Sequence, residues 1–154
     1  MMTMYPEIGF TKVSPDAKKP TKAHPDDAGF DLCSTEDFIL RPGESRKVGS
    51  GIAVKIPTGF VGLLLPRSGL GMRGLVIKNG TGVIDAGYIG EIGLTMLNNN
   101  PITSNEAIEV QKGDRIAQLL VVPIAMPTLV EVVELGETDR GSGGFGSTGV
   151  RERL

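Results

Sequence analysis

At 154 residues, with 22 glycines, 10 prolines and a net charge of −2, the chain has the length of one domain that can bury a core without cross-links. A pI near 5.4 excludes a broad basic face, so nucleic acid is not an expected partner and any phosphate must be gripped locally. One cysteine, Cys33, and one histidine, His24, cannot form an internal disulfide or furnish zinc with its usual nitrogen and sulfur ligands, which leaves oxygen ligands for any metal.

The stretch from Met1 to Pro6 has neither a charged n-region nor an apolar core. No run approaches the roughly 20 apolar residues of a membrane span. With cysteine so sparse, a soluble, cytoplasmic protein in a reducing compartment is expected. Glycine stands at about twice its average share, and no helical period lasts three turns, so strands and turns should dominate.

Ile8 to Val13 reads as a first strand, followed by a polar loop from Lys18 to Pro25 that carries His24 as a solvated residue. In Asp27-Ala28-Gly29-Phe30-Asp31-Leu32, alternation puts Phe30 and Leu32 on one face and Asp31 on the other, away from the core. Asp31 is then either a solvent-facing carboxylate or an outer-shell partner for water on Mg²⁺. Phe38–Leu40, Lys47–Ile56, Gly59–Leu65 and Leu75–Ile77 are strand-like, and short strands at this spacing point to a sandwich, jelly roll or barrel. Pro66-Arg67-Ser68-Gly69-Leu70 follows an apolar strand with a guanidinium, a hydroxyl and a glycine that admits an anion to the backbone N–H groups. That combination makes a phosphate cradle, with a short helix from Ser68 behind it. Gly71 and Gly74 hold the helix to about two turns.

Asn79 precedes Gly82-Val83-Ile84-Asp85-Ala86-Gly87-Tyr88-Ile89-Gly90-Glu91, which reads as a β-hairpin bent at Asp85-Ala86-Gly87. A carboxylate between an apolar strand and a tyrosine would suit a ribose-sized pocket with one base; an ordinary Asx-turn is the plainer explanation. Asn79 can donate and accept, as the edge of a nucleobase requires. Ile89–Leu97 is another strand, and Asn98–Asn105 is filler. Glu106–Val110 and Arg115–Ile124 form a second hairpin around Lys112-Gly113-Asp114. Gln118, the lone polar residue in an apolar run, must be paired or face a ligand.

Leu129–Leu135 makes a last strand, expected to dock on a neighbouring subunit. Residues 1–136 form one β domain, and residues 137–154 a mobile glycine-rich arm. The arm from Arg140 to Gly149 has five glycines in ten residues and cannot pack a core. Its Arg140 and hydroxyls suit phosphate oxygens, and Phe145 suits stacking on a flat ligand. No lysine precedes Ser147, so the spacing from Gly141 to Ser147 is not a P-loop.

Five motifs in this order, spread from Ala28 to Gly149, resemble those of the trimeric dUTPases: the Asp27 to Leu32 stretch, Pro66 to Leu70, Gly82 to Glu91, Lys112-Gly113-Asp114-Arg115-Ile116-Ala117-Gln118, and the Arg140 to Gly149 arm. The resemblance implies an all-β, jelly-roll-like homotrimer with one short helix, a swapped C-terminal strand and an arm supplied in trans. It further implies hydrolysis of dUTP to dUMP and pyrophosphate with Mg²⁺. Carried over, Asp85 is the base for the attacking water; Tyr88 packs under the deoxyribose; Asn79, with the Gly82, Val83 and Ile84 backbone, reads uracil. Arg67, Ser68, Gly69 and Gln118 hold phosphates, and Asp31 reaches Mg²⁺ through water. Arg140, Ser147 and Thr148 cover the γ-phosphate, Phe145 stacks on uracil, and Gly146 between them also binds substrate. The related dCTP deaminases place a catalytic glutamate where this chain has Thr95. A dUTPase-like regulator that uses nucleotide binding as a switch would keep the nucleotide site, whereas a structural jelly roll would need neither Arg140 nor Phe145.

Overall fold

The computed structural model describes residues 5–147 and 149. Its described residues form ten strands and one short α-helix. The strands are β1 (Gly9–Lys12), β2 (Phe30–Cys33), β3 (Phe38–Leu40), β4 (Ser45–Lys55), β5 (Phe60–Leu65), β6 (Leu75–Ile77), β7 (Gly82–Ile84), β8 (Glu91–Asn98), β9 (Ile108–Val110) and β10 (Arg115–Pro123). The helix α1 spans Ser68–Met72, and a 3₁₀ turn lies at Ile102–Ser104. One four-stranded sheet has the order β1-β4-β8-β6, a second has β2-β10-β5-β7, and β3 pairs with β9. Every pairing is antiparallel, as in the expected jelly roll.

Period-two patterning builds the core. In β8, Ile92, Leu94, Met96 and Asn98 are buried while the residues between them are not, and Leu32, Leu64, Ile84, Ile116 and Leu119 do the same for the second sheet. Both sheets and the β3–β9 pair feed one apolar cluster. Each buried Leu or Ile contributes about 1.5–3 kcal/mol relative to exposure.

Two expectations fail. Gly82 to Glu91 is not a hairpin, because β7 pairs with β5 while β8 pairs with β4 and β6. The turn therefore carries the chain from one sheet to the other, closed by Tyr88 N–H donating to Asp85 O at 3.0 Å. Residues 106–124 are not a hairpin either: β9 pairs with β3 and β10 with β2 and β5. Local turn chemistry marks a bend, but the partner is chosen by which sheet has a free edge. Leu129–Leu135, expected to dock on a neighbouring subunit, pairs with no strand among the described residues of its own chain; Leu129, Val133 and Leu135 stand at least 94% exposed.

Candidate active site

The residues singled out from the sequence fall into two groups on this chain, on either side of β5. In β5, Leu64 pairs with Gly82 of β7 and Leu65 with Gln118 of β10.

On the β10 side, Ala23, Asp27, Ala28, Gly29, Asp31, Arg67, Ser68 and Gln118 line a cleft of about 230 Å³. Asp31 does point away from the core, but not into open solvent. Its Oδ1 accepts Arg67 Nε at 2.7 Å, and its Oδ2 lies 3.4 Å from Arg115 Nη1. Gln118 donates Nε2 to Pro66 O at 3.0 Å. A Cβ on Gly29 would stand 2.6 Å from Gln118 Oε1, so glycine is what lets that amide lie against β2. Gly69 is different: a Cβ there would meet nothing within 4 Å. Packing within the chain does not require that glycine. The helix begins at Ser68 as expected, with Arg67 as its N-cap and no side-chain capping bond.

Arg115 was missed by the sequence reading. A regular strand would put Arg115 and Gln118 on opposite faces, but the β10–β2 register shifts between Arg115 and Ala117. The extra residue restores both side chains to the Asp31 side. The consecutive apolar residues Ile116 and Ala117, both buried, were the available sign. The neighbouring Cys33 thiol is pushed up from 9.0, mainly by burial, with Asp31 adding to the shift and Lys18 opposing it.

On the β7 side, Leu64, Ile77, Lys78, Asn79, Gly82, Gly93, Leu94 and Thr95 line a cleft of about 470 Å³, within the range of small-molecule sites. Val83, Ile84, Asp85, Tyr88, Glu91 and Gly93 line a smaller one beside it. Asp85 is exposed at the turn. Tyr88 donates its hydroxyl to Glu91 O at 2.7 Å, and Glu91 Oε1 accepts Gly51 N–H at 2.8 Å. Glu91, given no role from sequence, thus ties the Asp85 turn to the β4 irregularity between Gly49 and Ala53.

Among the described residues none of these clefts is lined by both groups. The arm joins neither: Arg140 Nε donates to Gly143 O at 2.9 Å, Ser147 N–H to Gly144 O, and Phe145 is fully exposed. Gly146 lies in the same turns with a φ of 86°, and Thr148 lies outside the described residues. One chain therefore presents two separate halves, a polar, arginine-bearing cleft and a carboxylate-and-tyrosine turn.

Comparison with known proteins gives these halves a common context. The family model for dUTPase matches residues 16–149. A "Deoxyuridine 5'-triphosphate nucleotidohydrolase" of Nocardia farcinica is 50% identical over 149 residues, covering 96% of this chain and 88% of that protein. Its counterpart in Rhodococcus erythropolis is 47% identical over 149 residues, covering 96% and 89%. Among solved structures, a mutant dUTPase of Staphylococcus bacteriophage 80alpha with dUpNHpp superposes with a TM-score of 0.86 at 36% identity, covering 94% of this chain and 99% of that one. A mutant dUTPase from phage phi11 of S. aureus, described for its coordination of a structural Mg(II) ion, gives 0.78 at 33% identity, covering 84% and 99%.

Proposed function

The chain belongs to the dUTPase family, and on that footing we propose that it hydrolyses dUTP to dUMP and pyrophosphate in sites shared between subunits of a homotrimer. The observation that carries this is the division of the site: among the described residues the clefts beside Asp85 and beside Arg67 share no lining residue, which supports a site completed by neighbouring copies.

On the β7 side, Asn79 with the Gly82, Val83 and Ile84 backbone reads uracil. Cytosine presents a donor where uracil presents an acceptor, which leaves polar groups unpaired and rejects it. Tyr88, fixed through its hydroxyl to Glu91 O, forms the floor under deoxyribose and collides with a 2′-hydroxyl. Asp85 orients a water for in-line attack on the α-phosphorus and takes its proton; fixed geometry makes a weak base effective. Arg67, Ser68, Gly69 and Gln118 of a second subunit hold the phosphates. The arm of a third brings Arg140, Gly146, Ser147 and Thr148 over the γ-phosphate and Phe145 onto uracil, excluding water. Leu129–Leu135 supports the swap, as an apolar segment left exposed on its own chain.

Among the described residues no three His, Cys, Asp or Glu side chains cluster as metal ligands. Asp31 and Asp27 nevertheless line the phosphate cleft with hard oxygens, which fits an ion that keeps several waters and takes substrate phosphates, as Mg²⁺ does. When bound, Mg²⁺ supplies neutralisation of the charge on the departing pyrophosphate. Thr95 lines the uracil-side cleft with a hydroxyl and cannot carry the proton that cytosine deamination needs. A reducing cytoplasmic setting fits the single thiol. Pyrophosphate release with dUTP, dCTP, dTTP and UTP tests the proposal: only dUTP should turn over, and ammonia from dCTP would overturn it.

A further inference from the structure

Asn98, Asn99 and Asn100 lie in the loop read from sequence as filler, yet they fasten the far end of the helix that presents Ser68 and Gly69. None of the residues of α1 is buried; Leu70 alone leans against the core. A helix of five residues cannot sustain itself without tertiary support. At its start the turn is held by Gln118 Nε2 on Pro66 O at 3.0 Å and by the Arg67–Asp31 pair. At its end, Arg73 N–H donates to Leu70 O at 3.0 Å, and Gly74 takes a φ of 92° that favours glycine. There Asn100 Nδ2 donates to Arg73 O at 2.9 Å, and Asn99 N–H donates to Gly74 O at 2.8 Å.

The other end of this clasp is fixed in the core. Asn98 is fully buried. Its Nδ2 donates to Leu40 O at 2.9 Å and Glu106 O at 2.8 Å, and its Oδ1 accepts Asn100 N–H at 3.0 Å. A continuous set of bonds therefore runs from a buried amide to the carbonyl that ends α1. We infer that Asn100 is a positioning residue for the phosphate-binding turn, setting where Ser68 and Gly69 stand relative to the triphosphate. This role rests on the proposed use of that turn. The competing role is purely structural, in which the amide satisfies one of the free carbonyls at a helix end and its loss lowers stability without selecting among ligands.

Asn100→Asp is isosteric and removes the donor to Arg73. Gly74→Ala retains the Asn100 amide but displaces it, since a Cβ there would stand 2.5 Å from its Oδ1 and 2.6 Å from its Nδ2. In the full-length protein, calorimetry with magnesium pyrophosphate and with dUMP should show the same split for both variants. Pyrophosphate affinity falls about tenfold, the change that one ordinary hydrogen bond corresponds to, while dUMP affinity stays within about twofold of the parent. KM for dUTP rises with the pyrophosphate constant, and kcat changes little. Unchanged pyrophosphate affinity, equal weakening of both ligands, or failure of both variants to fold assigns the amide to stability alone and overturns the inference. Pyrophosphate binding by a parent protein that does not turn over dUTP would remove the proposed reaction and leave the positioning role standing. A parent that binds no pyrophosphate removes the positioning role.

Discussion

Asp31 holds Arg67 by a direct ion pair, Oδ1 to Nε at 2.7 Å, with the two side chains 13% and 27% exposed. The pair is screened less than a surface bridge, and Arg115 reaches the second carboxylate oxygen from the rim. The same carboxylate thus orients the guanidinium proposed to bind phosphate and lines the cleft where Mg²⁺ is proposed. Asp31→Asn should lower stability by about 1–2 kcal/mol, because the arginines lose their charge partner. It should also raise the Mg²⁺ concentration for half-maximal dUTP turnover several-fold. Urea denaturation and a magnesium titration check the two parts separately; an unaltered magnesium requirement would restrict Asp31 to holding the arginines.

Asp85 is exposed at its turn, and its backbone carbonyl accepts Tyr88 N–H. Replacing only the carboxylate should leave the turn intact. Asp85→Asn should retain dUTP-analogue affinity within a few-fold and lower kcat by about 10³, inside the range for loss of a general base. Equilibrium binding combined with rapid-quench kinetics checks this. A variant with parental kcat would remove Asp85 from the chemistry.

The sequence exposes most strand positions because burial alternates along them: Ile92, Leu94 and Met96 of β8 alternate with less buried neighbours. It also exposes Arg67, Ser68 and Gln118, whose residue types are unusual beside apolar strands and which do share one cleft. Pairing is less legible. The turn residues after Ile84 and after Val110 are those of hairpins, yet each turn connects different sheets, since strand partners are set by distant edges. Arg115 is hidden by a bulge that inverts alternation. Asn98 looks like loop composition, because three successive asparagines say nothing of the backbone carbonyls they will meet.

Burial pushes the Cys33 thiol above 9.0, more strongly than Lys18 pulls it down. An acid whose folded value is raised contributes stability that is complete below the unfolded value and is lost as pH climbs through the folded one. Cys33 should therefore react slowly with iodoacetamide at pH 8, because little thiolate is present, and unfolding free energy should decline only above about pH 9. Mass spectrometry of alkylated protein and urea melts across pH 7–11 test this; Cys33→Ser should flatten the alkaline limb attributable to the thiol.

Two truncations separate the halves of the C-terminal segment. Leu129, Val130, Val133 and Leu135 are largely exposed in the single chain, and each would gain about 1.5–3 kcal/mol if buried on a neighbour. Phe145 and Arg140 lie beyond them, joined to neither cleft. A chain ending before Arg140 should remain a trimer by light scattering and lower kcat/KM for dUTP at least about a hundredfold, since the groups proposed to close the site would act after binding. A chain ending before Leu129 should lose trimers as well, because the apolar segment that would bridge subunits is gone. If the first truncation dissociates, Arg140 and its neighbours belong to the interface. If the second stays trimeric, residues 129–135 do not hold the subunits together.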